Sequence, residues 1–183
     1  MDLSTPATYT LGPDAGRLTV TTGTAGPAAR AGHDLTLVAT SWEATLTLTG
    51  QEHGSALTLS ADPWSLVVVD GRGGASSLSD ADREGITATV RQEVLSKDPI
   101  RFQSTDVSHH PDDDRLEVTG ILELAGVRRP ISFAVRHPAA ARLVASITLR
   151  QTDYGIAPYT VLFGALKVAD ELAISVDVEL GAS

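Results

Sequence analysis

Residues 172–180 read Leu-Ala-Ile-Ser-Val-Asp-Val-Glu-Leu, with a large apolar side chain at every second position. Because successive side chains of a β-strand point to opposite faces, this period of two predicts a strand that buries one face. Asp177 and Glu179 fall on the other face, which is expected to contact water. The stretch therefore favours an antiparallel sheet with one solvated side.

The same alternation recurs elsewhere along the chain. Residues 116–124 and 143–149 repeat it, and turn-forming residues such as Gly50 and Gly126 separate the apolar runs. Residues 35–48 also alternate, but their apolar positions change parity near residues 40–41, which predicts a bulge or a break. We predict an all-β, antiparallel, lipocalin-like barrel of roughly eight strands that closes on itself, in one domain covering residues 1–183. A β-sandwich is the alternative.

One segment departs from the strand pattern and predicts a single α-helix over about residues 79–96. Ser79 and Asp82 have the spacing of a capping box at a helix start. Ile86, Val90 and Val94 then recur at helical spacing, which gives the helix one apolar face. Pro99 disfavours helical geometry at the residue before it, so the helix is expected to end upstream of that proline.

Composition and charge exclude several functional classes. The chain holds 14 Lys and Arg against 23 Asp and Glu, a net charge of −9, so we expect no nucleic-acid partner and at most transient contact with a membrane. Cysteine is absent, which excludes disulfides, thiol catalysis and cysteine-ligated metal. The first residues lack the basic opening and apolar run of a secretory signal, which favours a cytoplasmic protein.

The segment Gly32-His33-Asp34-Leu35 is the strongest candidate for acid–base chemistry, since a His next to an Asp precedes a predicted strand. Three roles remain open for His33: structural hydrogen bonding, a polar ligand contact, and catalysis. Neighbours in sequence seldom form a useful acid–base pair, and no serine lies in a nucleophile elbow. The residues favour a structural role or a ligand contact, with no catalytic residue and no metal site.

Residues 153–167 concentrate aromatic side chains in a chain whose aromatic content is only 4%. Tyr154, Tyr159 and Phe163 lie there among Gly and Pro residues, and Gly164 and Ala165 leave room beside them. Aromatic residues in such a connection often line or cover a binding site, so this segment is a candidate wall or lid. The alternative is that it plugs one end of the barrel with core residues.

Several short segments follow one another in a characteristic order. They are Tyr-Thr-Leu at 9–11, Gly-His-Asp-Leu at 32–35, the helix, Pro-Ile-Arg-Phe-Gln-Ser at 99–104, Val-Thr-Gly-Ile-Leu at 118–122, Gly-Val-Arg-Arg-Pro at 126–130, Asp-Tyr-Gly-Ile at 153–156 and Val-Ala-Asp-Glu-Leu at 168–172. This order resembles the YceI-like family, barrels similar to lipocalins that bind polyisoprenoid and other long apolar lipids. The resemblance implies a non-catalytic lipid carrier.

The physics of a small barrel agrees with that implication. An eight-stranded barrel has room inside for packed side chains or for one small apolar ligand. Each buried methylene contributes up to about 0.8 kcal/mol while association costs roughly 4–15 kcal/mol, so a long chain is favoured. Ligand contacts are expected from His33, Leu46, Phe102, Phe133, Tyr154, Ile156, Tyr159, Phe163, Gly164 and Ala165.

We therefore expect an apolar, lipid-like small molecule as the partner and no cofactor. The sequence does not determine the oligomeric state, and a homodimer is one of the options. Two other functions remain: a ligand-free protein-interaction module with a solid interior, and an enzyme or metal site built on His33 and Asp34.

Overall fold

The computed structural model describes residues 5–74, 76–110, 115–139 and 141–180. Within these ranges, the fold has twelve strands and one main helix. The strands are β1 (Ala7–Leu11), β2 (Gly16–Ala25), β3 (His33–Ala39), β4 (Trp42–Leu48), β5 (Ala56–Ala61), β6 (Leu66–Gly73), β7 (Ile100–His110), β8 (Arg115–Leu124), β9 (Val127–Ala139), β10 (Arg142–Arg150), β11 (Thr160–Val161) and β12 (Leu166–Glu179). Helix α1 (Asp80–Thr89) continues into one π-helical turn (Val90–Val94).

All strands belong to one antiparallel sheet, whose order is β1-β4-β5-β7-β8-β9-β10-β12-β2-β3-β6, with β11 paired to β12. This confirms the predicted mostly-β, antiparallel class with a single helix. The path holds eleven strands where roughly eight were expected. One reason is that residues 35–48, which alternate almost continuously, form two strands in different parts of the sheet.

Two chain corners show that the sheet curls back on itself. Strands β3 and β4 are separated only by Thr40 and Ser41, yet they lie near opposite ends of the strand order. The link from β5 to β6 joins the same two ends. Hydrogen bonds hold the corners together: the Thr40 N–H and hydroxyl donate to the Ser65 carbonyl, and the Asp62 N–H donates to the Ser41 carbonyl. The predicted parity break is therefore this corner, where the chain crosses from one end of the sheet to the other.

Helix α1 begins at the predicted capping box. The Ser79 hydroxyl accepts a hydrogen bond from the Asp82 N–H, and the Asp82 carboxylate accepts one from the Ser79 N–H. The Ser79 hydroxyl also donates to the Asp82 carboxylate, and this hydrogen bond, together with the one from the Ser79 N–H, lowers the pKa of Asp82 below its ordinary value. Ile86, Val90 and Val94 pack against the core as the helical spacing predicts.

The helix also covers the terminal strand β6. The Val68 N–H donates to the buried hydroxyl of Thr87, and the Arg91 guanidinium donates to the Leu66 carbonyl. Unpaired main-chain groups at a sheet edge promote unwanted strand pairing, so these side chains protect an edge that would otherwise be open. Within the described ranges, no helix combines the length and apolar character needed to cross a membrane.

Candidate ligand cavity

The inner face of the curled sheet lines a partly open cavity of about 200 Å³. Nine strands contribute to its wall, and their inward side chains are Leu, Ile, Val, Ala, Phe and Trp. Ser146 of β10, an exposed residue between the inward Ala145 and Ile147, also borders the cavity. The surface that these residues present to the cavity is entirely apolar. Such a space excludes ions and strongly hydrated groups and favours hydrocarbon.

The alternation found in the sequence explains the wall. On β12, Ile174, Val176 and Val178 point inward while Asp177 and Glu179 remain exposed. On β10, the inward positions include Leu143 and Ala145. The wall includes three alanines, on β4, β5 and β10, whose short side chains leave part of the interior empty: Ala44, Ala61 and Ala145.

An aromatic pair forms one side of the cavity. The rings of Phe102 and Phe133 lie 5.4 Å apart between centroids with their planes tilted by 56°, an arrangement that aromatic rings favour. Gly120 on the intervening strand β8 makes room for the pair. A Cβ atom built on Gly120 would lie 2.5 Å from the Phe102 ring, so glycine is required there for steric reasons.

Three of the residues expected to contact a ligand therefore lie on the cavity wall: Leu46, Phe102 and Phe133. Their contact with a ligand stays a prediction. Sequence reasoning did not single out Trp42, Ile131 or Ile147, which also line the wall. Strand parity predicts which side chains of each segment face inward. Which of these side chains border the cavity depends on the alignment of strands that are distant in the sequence.

The structure places the residues of the connection from Tyr154 to Ala165 away from the cavity wall. Tyr154 and Ile156 are buried in the hydrophobic core, and burial raises the pKa of the Tyr154 hydroxyl. Tyr159 is half-buried, whereas Phe163 and Gly164 are exposed. Strands form the cavity wall in this geometry, and the part of the segment around Tyr154 packs in the core. The role of this segment as a wall or lid stays a prediction.

Ala165 has a main-chain role. Its carbonyl accepts a hydrogen bond from the Ala28 N–H, which ties this connection to the short helical turn after β2. The main chain at Leu162 and Phe163 has positive φ, of 52° and 56°. Residues other than glycine rarely adopt a positive φ. Phe163 does so here, and its side chain is exposed to solvent.

His33 and Asp34 make separate contacts on β3. The His33 Nε2 atom lies 2.7 Å from the Ser76 carbonyl oxygen, and Asp34 accepts a hydrogen bond of 3.3 Å from the Thr24 hydroxyl. As adjacent strand residues they point to opposite faces. Across the described residues, no group of three or more His, Asp or Glu side chains has the arrangement of a metal site.

These features define a class: a mostly β protein whose curled antiparallel sheet lines an apolar cavity. The family model of the YceI-like domain matches residues 42–180. The chain belongs to the YceI-like family, which confirms the resemblance inferred from the sequence. A search of curated proteins finds none with significant sequence similarity.

Solved structures with the same fold are distant in sequence. BcnA of Burkholderia cenocepacia is similar with a TM-score of 0.63 and 11% identity, over 89% of this chain and 94% of that one. A domain from Saccharophagus degradans, described as a polyisoprenoid binding domain implicated in plant cell wall breakdown, has a TM-score of 0.55 and 10% identity over 97% and 100% of the two chains. The Campylobacter jejuni YCEI protein has a TM-score of 0.51 and 14% identity over 70% and 72%.

Proposed function

We propose that this protein binds a long apolar ligand, a polyisoprenoid or another lipid, inside the curled sheet and carries it without chemical change. The observation that carries the proposal is the entirely apolar surface of the cavity. The description of the Saccharophagus degradans domain as polyisoprenoid-binding supports the ligand class.

The size of the cavity favours a slender ligand. A dry apolar cavity of about 150 Å³ in another protein admits a benzene molecule, whereas pockets for drug-sized ligands occupy about 300–1,000 Å³. At about 200 Å³, this cavity fits a chain of small cross-section better than a bulky ring system. Ten buried methylenes contribute about 8 kcal/mol against an association cost of about 4–15 kcal/mol, so a long chain is needed for firm binding.

The cavity wall also supports binding in preference to catalysis. Among the residues that the structure describes, the side chains on this wall include no Asp, Glu, His, Lys, Arg or Tyr. General acid–base chemistry needs a titratable group within hydrogen-bond reach of the reacting atom. A ligand held against this wall would meet carbon atoms only.

The proposal is tested by organic extraction of the purified protein followed by mass spectrometry of the extract. We expect stoichiometric lipid from the wild type. Ala145→Trp should lose most of it, because Ala145 lies on the cavity wall and the indole would fill space that the ligand needs. Ala173→Trp is the matched control, since Ala173 is exposed on the outer face of β12.

Thermal melts of both variants establish that each is folded. The proposal fails if folded wild type yields no lipid after incubation with a polyprenol. It also fails if Ala145→Trp keeps as much lipid as Ala173→Trp, since the ligand would then lie outside the cavity.

A further inference from the structure

The hairpin of β9 and β10 is hydrogen-bonded only near its turn. The paired residues are Ala139 with Arg142, Arg136 with Val144, and Val135 with Ala145. Beyond that point β9 remains paired to β8 as far as Val127, and β10 remains paired to β12 as far as Arg150. Within these fully described stretches, the sheet is therefore split between residues 127–134 and residues 146–150.

Both edges of the split belong to the cavity wall. Ile131 and Phe133 line the cavity from β9, and Ile147 and Leu149 line it from β10. If the register of Val135 and Ala145 continued, Phe133 would face Ile147 and Ile131 would face Leu149. The missing pairs thus leave a gap directly over the apolar interior.

The split is framed at both ends. At one end the three main-chain pairs of the hairpin join the strands. At the other end the Arg129 guanidinium donates a hydrogen bond to the Asp153 carbonyl, which lies in the helical turn that follows β10 (Gln151–Tyr154). A frayed hairpin would have no such second connection. We call the gap between residues 127–134 and 146–150 the β9–β10 window.

We propose that the β9–β10 window is the entrance through which a slender apolar molecule reaches the cavity, an inference that rests on the proposed function for the identity of the cargo. Sheets ordinarily satisfy their main-chain groups by pairing neighbouring strands, and unpaired edges are a liability that proteins cover or avoid. Here two strands that are consecutive in the chain stay apart at the place where pairing would seal the cavity.

The experiment closes the window with a cross-link, which the absence of cysteine makes simple. Ser132→Cys and Thr148→Cys introduce thiols at two exposed positions that would face each other if the register continued. If the two sulfur atoms are too far apart to form a disulfide, a short bis-maleimide cross-links the same pair of cysteines. The control pair is Arg136→Cys with Val144→Cys, which lies in the part of the hairpin that is already hydrogen-bonded.

The first readout does not depend on lipid binding. The chain has two tryptophans, and Trp64→Phe leaves Trp42, which lies on the cavity wall, as the only one. Quenching of Trp42 fluorescence by trichloroethanol then reports access to the cavity. We expect closure of the window to lower the quenching rate constant at least several-fold, with recovery after reduction of the disulfide, and we expect no change for the control pair.

The second readout is the rate of uptake and release of cis-parinaric acid, a fluorescent fatty acid. Closure should slow both rates about tenfold or more. Equal Trp42 quenching in the open and closed protein would overturn the window as the entrance, whatever the lipid result. If closure lowers the Trp42 quenching rate but the protein takes up neither fatty acid nor polyprenol, the window is supported as the entrance and the proposed function is overturned. The two failures are therefore distinguishable.

Discussion

Replacement of Gly120 by alanine tests the packing that builds the cavity wall. A Cβ atom at this position would lie 2.4 Å from the Gln103 carbonyl oxygen and 2.5 Å from the Phe102 ring, closer than real Cβ contacts allow. Strand β7 or the Phe102 ring must therefore move. Overpacking of this kind costs about 1–3 kcal/mol, while the loss of glycine's freedom in the unfolded chain returns about 0.4–1 kcal/mol. We expect a net loss of about 1–2 kcal/mol.

Gly85→Ala is the matched control for this prediction. Gly85 is exposed in α1, and a Cβ atom there meets nothing within 4 Å. Alanine should stabilise the helix by up to about 1 kcal/mol, because glycine is the poorer helix former. Urea unfolding measures both variants, and the two midpoints should move in opposite directions with unchanged slopes.

A second variant separates the two close contacts at Gly120. Phe102→Leu combined with Gly120→Ala removes the clash with the ring but leaves the clash with the main-chain oxygen of Gln103. The cost of Gly120→Ala should therefore be smaller in the Phe102→Leu protein than in the wild type, and should remain above zero. If Gly120→Ala is as stable as the wild type, the close approach of β7 to β8 at this point is wrong.

Three further predictions address the helix, the acid response and the exposed connection. Val90→Asp should cost several kcal/mol because Val90 packs against the core, whereas Gln92→Glu on the exposed side should stay within about 0.5 kcal/mol; similar thermal melts would contradict the helix orientation. Hydrogen bonds from the Thr152 hydroxyl and N–H hold the pKa of Asp170 below its ordinary 3.8, so this carboxylate stabilises the fold above that pH and the contribution is lost as the pH falls through the lower folded-state value. The stability difference between wild type and Asp170→Asn should therefore shrink on acidification, and a difference that is constant in urea titrations from neutral pH to about pH 3 would refute it. Phe163→Ser should change the unfolding free energy by less than about 0.5 kcal/mol and leave bound lipid unchanged, because Phe163 is exposed; loss of lipid would instead support the sequence-based expectation that Phe163 contacts the ligand.

Local chemistry in the sequence was sufficient for the elements of the fold. The alternation of residues 172–180 predicts which side chains of β12 face inward, because the period of a strand does not depend on its partners. The capping box of Ser79 and Asp82 predicts the start of α1 for the same reason: both halves of the interaction lie within four residues.

The candidate site depends on non-local structure and was only partly predictable. Aromatic residues between 154 and 163 were expected to line the ligand site, yet Tyr154 is core and Phe163 is exposed. The burial of Tyr154 and the exposure of Phe163 depend on the strands against which the connection packs and on the positive φ at Phe163. Local composition does not encode either of these features. The split between β9 and β10 leaves the alternation of both strands intact, so periodicity does not predict it. Its signal in the sequence is Pro130 within β9, since a proline inside a strand indicates an edge.

The small size of the cavity follows from its side chains more than from the number of strands. Wide closed barrels of 16–18 strands enclose aqueous channels, whereas about eight strands leave an interior that side chains can fill. Here the sheet path has eleven strands and the cavity is only about 200 Å³, because two corners draw the ends of the sheet together and because the large side chains of Trp42, Phe102 and Phe133 lie on the wall. Alanines at positions 44, 61 and 145 supply the remaining space. Exchange of those alanines for larger residues should reduce the volume, because they lie on the cavity wall. The side chains of the wall can therefore set the size of the ligand without a change in the number or order of the strands.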